Sequence, residues 1–154
     1  VGGANTARLH VKGSGTTDAT TSLLVEDSAG TDILTVVDDG VVKINGQGYT
    51  ELHANATNLV VSWNDSNIQT VTVNSSSPTF APTDPKAGAT YILIIEQGAT
   101  PVTVDWNSLV KWPSATGAPT LSSATGKIDV ITLICYDDST TNGLYYGSAT
   151  LDLA

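Results

Sequence analysis

Short apolar, β-branched runs alternate along this chain with clusters of Gly, Asp, Asn and Pro. Over residues 7–45 the runs are Arg8-Leu-His-Val-Lys12, Ser22-Leu-Leu-Val-Glu26, Asp32-Ile-Leu-Thr-Val-Val37 and Val41-Val-Lys-Ile44, and each predicts a strand. The breaks are Gly13-Ser-Gly15, Asp27-Ser-Ala-Gly30 and Asp38-Asp-Gly40, where Asp and Gly tolerate the positive φ that tight hairpins require. The pattern therefore predicts a β-meander. A period of about ten residues runs through it, with Leu24, Leu34 and Ile44 in one phase and Gly30 and Gly40 in another. Strands of about five residues in so small a sheet cannot bury both faces alone. Strands of several identical chains are expected to pack around a common axis, enclosing a core that no single copy could.

Between residues 46 and 58 the pattern loosens, and a short helical turn is expected around residues 50–54. From residue 59 onward strands resume in a longer, more apolar form, at residues 59–63, 68–73, 90–96, 102–106, 128–136 and 144–150. Their breaks are Pro-rich, at Pro78, Pro82, Pro85, Pro113 and Pro119, which keeps those positions out of central strands. Such a series predicts an antiparallel β-sandwich, jelly-roll-like. The domain plan that follows is a β-repeat stalk over 1–48, a junction over 49–58 and a sandwich knob over 59–154. Within the knob, Gln69-Thr-Val-Thr-Val73 and Pro101-Val-Thr-Val-Asp-Trp106 alternate polar with apolar residues and predict one wet face. By contrast Tyr91-Ile-Leu-Ile-Ile95 and Val130-Ile-Thr-Leu-Ile-Cys135 are largely apolar on both faces, so they are expected either to lie centrally in the sandwich or, the reading favoured by the low charge elsewhere, to bury one side against a neighbouring subunit.

Composition supports the all-β reading and narrows the partners. Charged residues are 14% of the 154 residues, against about 25% in ordinary domains, so Thr, Ser, Asn and Gly must cover the surface. The net charge is -9 and the six Lys and Arg are scattered, which excludes a phosphate backbone as partner. No apolar run approaches the roughly 18–20 residues that span a bilayer, so membrane insertion is not expected. Cys135, the single cysteine, sits in an apolar run and reads as a small core residue. Because the chain begins with Val1 and contains no Met, it is expected to be processed or to be part of a longer product.

Candidate chemistry is sparse. His10 and His53 have no Cys or carboxylate beside them at metal-ligand spacing, and no nucleophile elbow accompanies either. The doublets Asp38-Asp39 and Asp137-Asp138 have the pairing that a glycosidase or a calcium site would need. Both precede a glycine in a predicted hairpin turn, and turn chemistry accounts for them. Neither a catalytic residue nor a cofactor is expected. Trp63, Trp106, Trp112, Tyr145 and Tyr146 are the candidate ligand contacts, since exposed aromatics mark binding surfaces. The competing reading for the tryptophans is core packing, because each ends or follows an apolar strand.

The segments Ala7-Arg-Leu-His-Val-Lys-Gly-Ser-Gly-Thr-Thr17, Thr21-Ser-Leu-Leu-Val-Glu-Asp-Ser-Ala-Gly-Thr31 and Leu34-Thr-Val-Val-Asp-Asp-Gly-Val-Val-Lys-Ile44 together resemble the shaft repeat of bacteriophage tail fibres and related virion appendages. The part containing Asn67-Ile-Gln-Thr-Val-Thr-Val73, Lys86-Ala-Gly-Ala-Thr-Tyr-Ile-Leu93 and Lys111-Trp-Pro113 resembles, more loosely, a small β domain near the C-termini of phage structural proteins. The resemblance implies a homotrimer on the surface of the virion, held by other virion proteins, as a tail fibre, head fibre or decoration protein. It also implies attachment to a host-surface glycan or protein. The rival expectation is a monomeric bacterial extracellular carbohydrate-binding module with one or two tryptophans exposed on one face. A depolymerase is the third, and it would need an acidic pair across a groove.

Overall fold

The structure is a computed structural model that describes residues 11–17, 19–44, 50–55, 59–74, 78–100 and 102–153. The chain is all-β and divides into two units, Val1–Tyr49 and Thr50–Ala154.

In the first unit, strands β1 (Thr21–Glu26), β2 (Asp32–Val37) and β3 (Val42–Ile44) form an antiparallel sheet in the order β1-β2-β3. This is the meander that the turn residues predict. At the first hairpin the Asp27 carboxylate accepts from the amides of Ala29 and Thr31, at 2.8 and 3.0 Å, and Gly30 supplies a φ of 79°. At the second, Asp39 accepts from the Val41 amide at 3.0 Å and Gly40 takes a φ of 92°. Both turns therefore use an acid to hold the backbone and a glycine to turn it. Residues 8–10 of the expected first strand lie outside the described residues, and Val11 and Lys12 are not in a strand.

In the second unit, β4 (Leu52–Asn55), β5 (Ile68–Val73), β6 (Thr90–Gln97), β7 (Val110–Lys111), β8 (Ile128–Asp137) and β9 (Leu144–Thr150) make a six-stranded sheet in the order β4-β5-β6-β8-β9-β7. The expected all-antiparallel arrangement is corrected here. β4, β5 and β6 run parallel, as do β7 and β9, whereas β6–β8 and β8–β9 are antiparallel. Parallel neighbours need a crossover connection, and the described parts of these connections contain no α-helix.

Those crossovers form the second layer of the unit. The amides of Ala81 and Thr83 donate to the carbonyls of Leu59 and Val61, at 2.9 and 2.8 Å, and Phe80 donates to Asp105 at 2.9 Å. Residues 59–63 and 102–106 were expected as strands of the sheet. Of these, Ser62 and Asp105 form isolated bridges, to Thr83 and Thr79, and the segments lie over the sheet as cover. The core between the layers holds Leu59, Val61, Trp63 and Phe80 from the crossovers against Val71, Val73, Tyr91, Leu93, Ile95, Ile131, Leu133, Cys135 and Tyr145 from the sheet. Each fully buried Leu, Ile or Val contributes about 1.5–3 kcal/mol, so this unit encloses a core of its own. The helical turn expected around residues 50–54 is replaced by β4, which pairs with β5 from Leu52 to Asn55. Partner strand and exposed edge decide that segment, and its weak local preference does not.

Three polar side chains lie among the core groups and pin the cover to the sheet. Gln97 donates to the carbonyl and accepts from the amide of Val102, at 3.1 and 3.0 Å. Gln69 donates to the carbonyls of Ser62 and Ser66, at 2.6 and 2.9 Å. The carboxylate of Asp129, fully buried, accepts from the Ser122 amide and hydroxyl at 2.8 and 2.7 Å and from the Asp152 amide at 2.9 Å. A buried polar group left unpaired costs more than a made hydrogen bond returns, so these pairings fix where each loop must lie.

Candidate functional site

Strand alternation sends successive side chains to opposite faces, and in each unit one sheet face gathers apolar side chains that the described residues leave partly or largely exposed. In the first unit the register pairs Leu23 with Val36, Val25 with Leu34, Leu34 with Ile44 and Val36 with Val42. Leu23, Val25, Leu34, Val36, Val42 and Ile44 therefore share one face, and the row Leu24, Thr35 and Lys43 lies on the other. Val42 and Ile44 are 59% and 60% exposed, and Val37 is the one fully buried hydrophobic of this unit among the described residues.

In the second unit, the face turned away from the core carries two cross-strand rows. One is Leu52, Ile68, Ile92, Thr132 and Ser148, and the other Ala54, Thr70, Ile94, Val130 and Thr150. These are the strands whose double apolarity the sequence announced, and no described segment of the unit covers this side. At one end of the face Tyr146, 52% exposed, stacks on Tyr136 with ring centroids 4.4 Å apart. The Lys111 ammonium sits 4.6 Å from the Tyr136 centroid, a cation–π placement. The Tyr136 hydroxyl and ring hold the Lys111 pKa above its ordinary value. Lys111 and Tyr136 escaped the sequence reading because their meeting depends on β7 pairing with β9, and a two-residue strand leaves no periodicity to read.

The five aromatic candidates do not form one platform. Trp63, Trp106 and Tyr145 are buried in the core. Trp63 stacks on Tyr91 at 4.1 Å and donates its indole N–H to the Tyr145 hydroxyl at 3.0 Å, while Trp106 donates to the Pro119 carbonyl at 3.3 Å. Burial raises the pKa of both Tyr91 and Tyr145, so both phenols stay neutral and serve as hydrogen-bonding groups. Trp112 and Tyr146 reach the surface, on opposite sides of the sheet. Trp112 packs edge-on against Trp106 and lines a cleft of about 490 Å³ with Pro113, Thr116, Pro119, Ser148 and Leu151. Its indole N–H is buried without a hydrogen-bond partner.

The acidic doublets are engaged in backbone work. Asp38 accepts from the Thr20 hydroxyl and the Gly15 amide, each at 2.6 Å, and from the Ser22 hydroxyl. These bonds, Ser22 first, hold its pKa below the ordinary value. Asp137 accepts from the Ser139 amide at 2.8 Å, and Asp138 from the Ala87 amide at 3.2 Å. Among the described residues, no three His, Cys, Asp or Glu side chains converge as metal ligands. His53 lies 3.8 Å from Asp65, both partly exposed, and His10 lies outside the described residues. Burial pushes the Cys135 thiol up, which disfavours the reactive thiolate. No helix among the described residues is long and apolar enough to cross a membrane.

Fold and surface together define an all-β chain in which, among the described residues, each unit has one apolar sheet face that is at least partly exposed. No family model, curated protein or solved structure matches the chain.

Proposed function

We propose that this chain is a non-enzymatic structural subunit of a homotrimeric virion appendage, a phage fibre or decoration protein. In this reading the meander forms the stalk, the second unit forms a sandwich-like knob, and the particle uses the knob to attach to a host-cell surface. The observation that carries it is the meander's apolar face. Leu23, Val25, Leu34, Val36, Val42 and Ile44 are aligned by register, with Val25, Val42 and Ile44 exposed and the other three partly so, and strands this short and few leave an apolar face short of cover. Identical copies facing one another would remove those side chains from solvent at about 25 cal/mol per Å². The virion setting rests on the resemblance of residues 7–45 to the fibre-shaft repeat. Weak attachment by each knob would suffice, because several copies on one particle raise the effective concentration.

Sedimentation equilibrium on the full chain should return three times the subunit mass of 15.9 kDa, and antibody-labelled particles should show the protein on their surface by electron microscopy. A stable monomer removes the trimer, and unlabelled particles remove the setting. The cleft beside Trp112 favours a second reading, a carbohydrate-binding module, because an indole flanked by hydroxyls suits a sugar ring. That reading expects a monomer whose glycan binding disappears in Trp112→Ala.

A further inference from the structure

We infer that the cleft beside Trp112 is where the second unit holds its attachment ligand, and that this ligand is a neutral glycan. The inference rests on the attachment reading above, to which it gives a site and a ligand class, and it holds for either oligomeric state.

The cleft arises where two chain segments part. β7 pairs with β9 at Tyr145 and Tyr146 alone, so beyond them one edge of β9 stays open, and Ser148 and Ala149 line the cleft from there. The opposite wall is a turn that the chain has already fixed. The Gly117 amide donates to the Pro113 carbonyl at 2.8 Å, Gly117 takes a φ of 68°, and the Pro119 carbonyl accepts from the Trp106 indole. Trp112 itself is held by packing, edge-on to Trp106 and against Gly147, whose missing side chain leaves room for the ring. Parts fixed in advance cost little to order when a ligand binds.

The chemistry of the lining selects the ligand. None of the lining residues is charged. The nearest charges along the chain are turned to other partners, with Lys111 over the Tyr136 ring and Asp152 paired to Lys127 at 2.7 Å. An anionic ligand would find no cation here and a chain with a net charge of -9 around it. The hydroxyls of Thr116 and Thr120 make no hydrogen bond among the described residues, and an open strand edge adds backbone donors and acceptors. Beside them stand the tryptophan, two prolines and Leu151. A ligand that matches both sets needs an apolar face and a rim of neutral hydroxyls, which is the make-up of an uncharged sugar. The volume of about 490 Å³ falls within the range of about 300–1,000 Å³ usual for small-ligand sites. An extended peptide would instead seek a row of side-chain pockets along a sheet edge.

The test follows the amide NMR signals of residues 112–120 and 147–151 in the full chain. The probes are neutral oligosaccharides of hexose and N-acetylhexosamine, their sialylated counterparts, and an extended Thr/Val peptide. The neutral saccharides should shift these signals saturably, and the sialylated ones should bind at least about tenfold more weakly. Thr116→Ala should lower the affinity about fivefold and Trp112→Ala about 30-fold. Ala118→Trp, which fills the cleft from an exposed position, should abolish binding. Near-UV circular dichroism of the buried Trp63–Tyr91 stack reports whether each variant folds, and should Trp112→Ala not fold, Ala118→Trp decides. If no neutral saccharide shifts these signals, or if Ala118→Trp binds as the wild type does, the cleft is not the site, although trimer and virion setting stand. Tighter binding of the sialylated probes overturns the ligand class, and a response to the peptide alone makes the cleft a strand acceptor and overturns the glycan. A monomer that binds neutral saccharides in this cleft keeps the inference and overturns the trimer.

Discussion

The two units solve the same problem to different depths. Each is a sheet with one apolar face that the described residues leave at least partly exposed, but the second unit has buried its other face under the segments between its strands, with Leu93, Ile95, Ile131 and Leu133 fully enclosed. The meander has no such cover among the described residues, and Val37 alone is fully buried. Chain length between strands explains the difference. The meander's strands are joined by tight turns at Asp27–Gly30 and Asp38–Gly40, which leave no residues to fold back. The links between β4, β5, β6 and β7 are long enough to lay a second layer. A sheet with long crossovers can supply its own cover, and one with tight hairpins cannot.

The largest expected effect separates the two regimes. Leu133→Ala empties a fully buried site on β8 and should cost about 3 kcal/mol in denaturant unfolding, whatever the protein concentration. Ile44→Ala, on the same face of the meander and 60% exposed, should cost about 1 kcal/mol or less in the dilute protein, where little is removed from an already solvated site. Its cost should grow with protein concentration as assembly buries the site. Equal costs at high dilution would break the comparison, for they would mean that the meander has an intrachain core after all.

Glycines sharpen it next. A Cβ at Gly147 would stand 2.6 Å from both Trp112 and Val110, so Gly147→Ala should overpack the second unit by about 2 kcal/mol. At Gly30 a Cβ meets nothing within 4 Å but the backbone holds a φ of +79°, so Gly30→Ala should cost about 1 kcal/mol through conformation alone. Thermal unfolding of the two variants measures both. A larger loss at Gly30 would reveal packing around the first hairpin.

What was legible in the sequence follows the same division. β2, β5 and β9 stand where alternation and turn residues placed them, and the Asp–Gly hairpins of the meander could be read directly because their chemistry is local. Parallel pairing was not legible. Nothing near Leu52 or Ile68 says that β4 lies beside β5, since a crossover is decided by how distant segments share a core. Residues 59–63 and 102–106 have strand composition, yet they cover the sheet instead of joining it. The same limit applied to the aromatics. Residue type marked Trp63, Trp106 and Tyr145 as candidates, and packing assigned them to the core, with Trp112 and Tyr146 at the surface on opposite sides. Asp129 was visible only as a polar residue in an apolar run, and its three hydrogen bonds come from loops that sequence does not place.

The smallest expected effect concerns acid, and it compares the turns. Hydrogen bonds from Thr31 and Ala29 lower the pKa of Asp27, and those from Ser22 and Thr20 lower that of Asp38, each from an ordinary 3.8. In the second unit, bonds from Ser139 do the same for Asp137. A carboxyl whose folded pKa is depressed stabilises the fold above its unfolded value, and that contribution disappears as pH falls through the folded value. All three turns should therefore weaken below about pH 4. Asp27 is exposed and Asp38 and Asp137 are partly so, so the effect is modest and screened by salt. Its consequence should nevertheless differ between units, because the β8–β9 turn closes a hairpin held by a core and the meander's turns do not. Amide NMR signals of β1 and β2 should broaden or shift at higher pH than those of β6 and β8. In Asp38→Asn, which keeps the shape but removes the titrating group, that part of the acid response should flatten. An acid response of β1 and β2 identical in Asp38→Asn and the wild type would show that the Ser22, Thr20 and Gly15 bonds to this carboxylate do not hold the meander's end together.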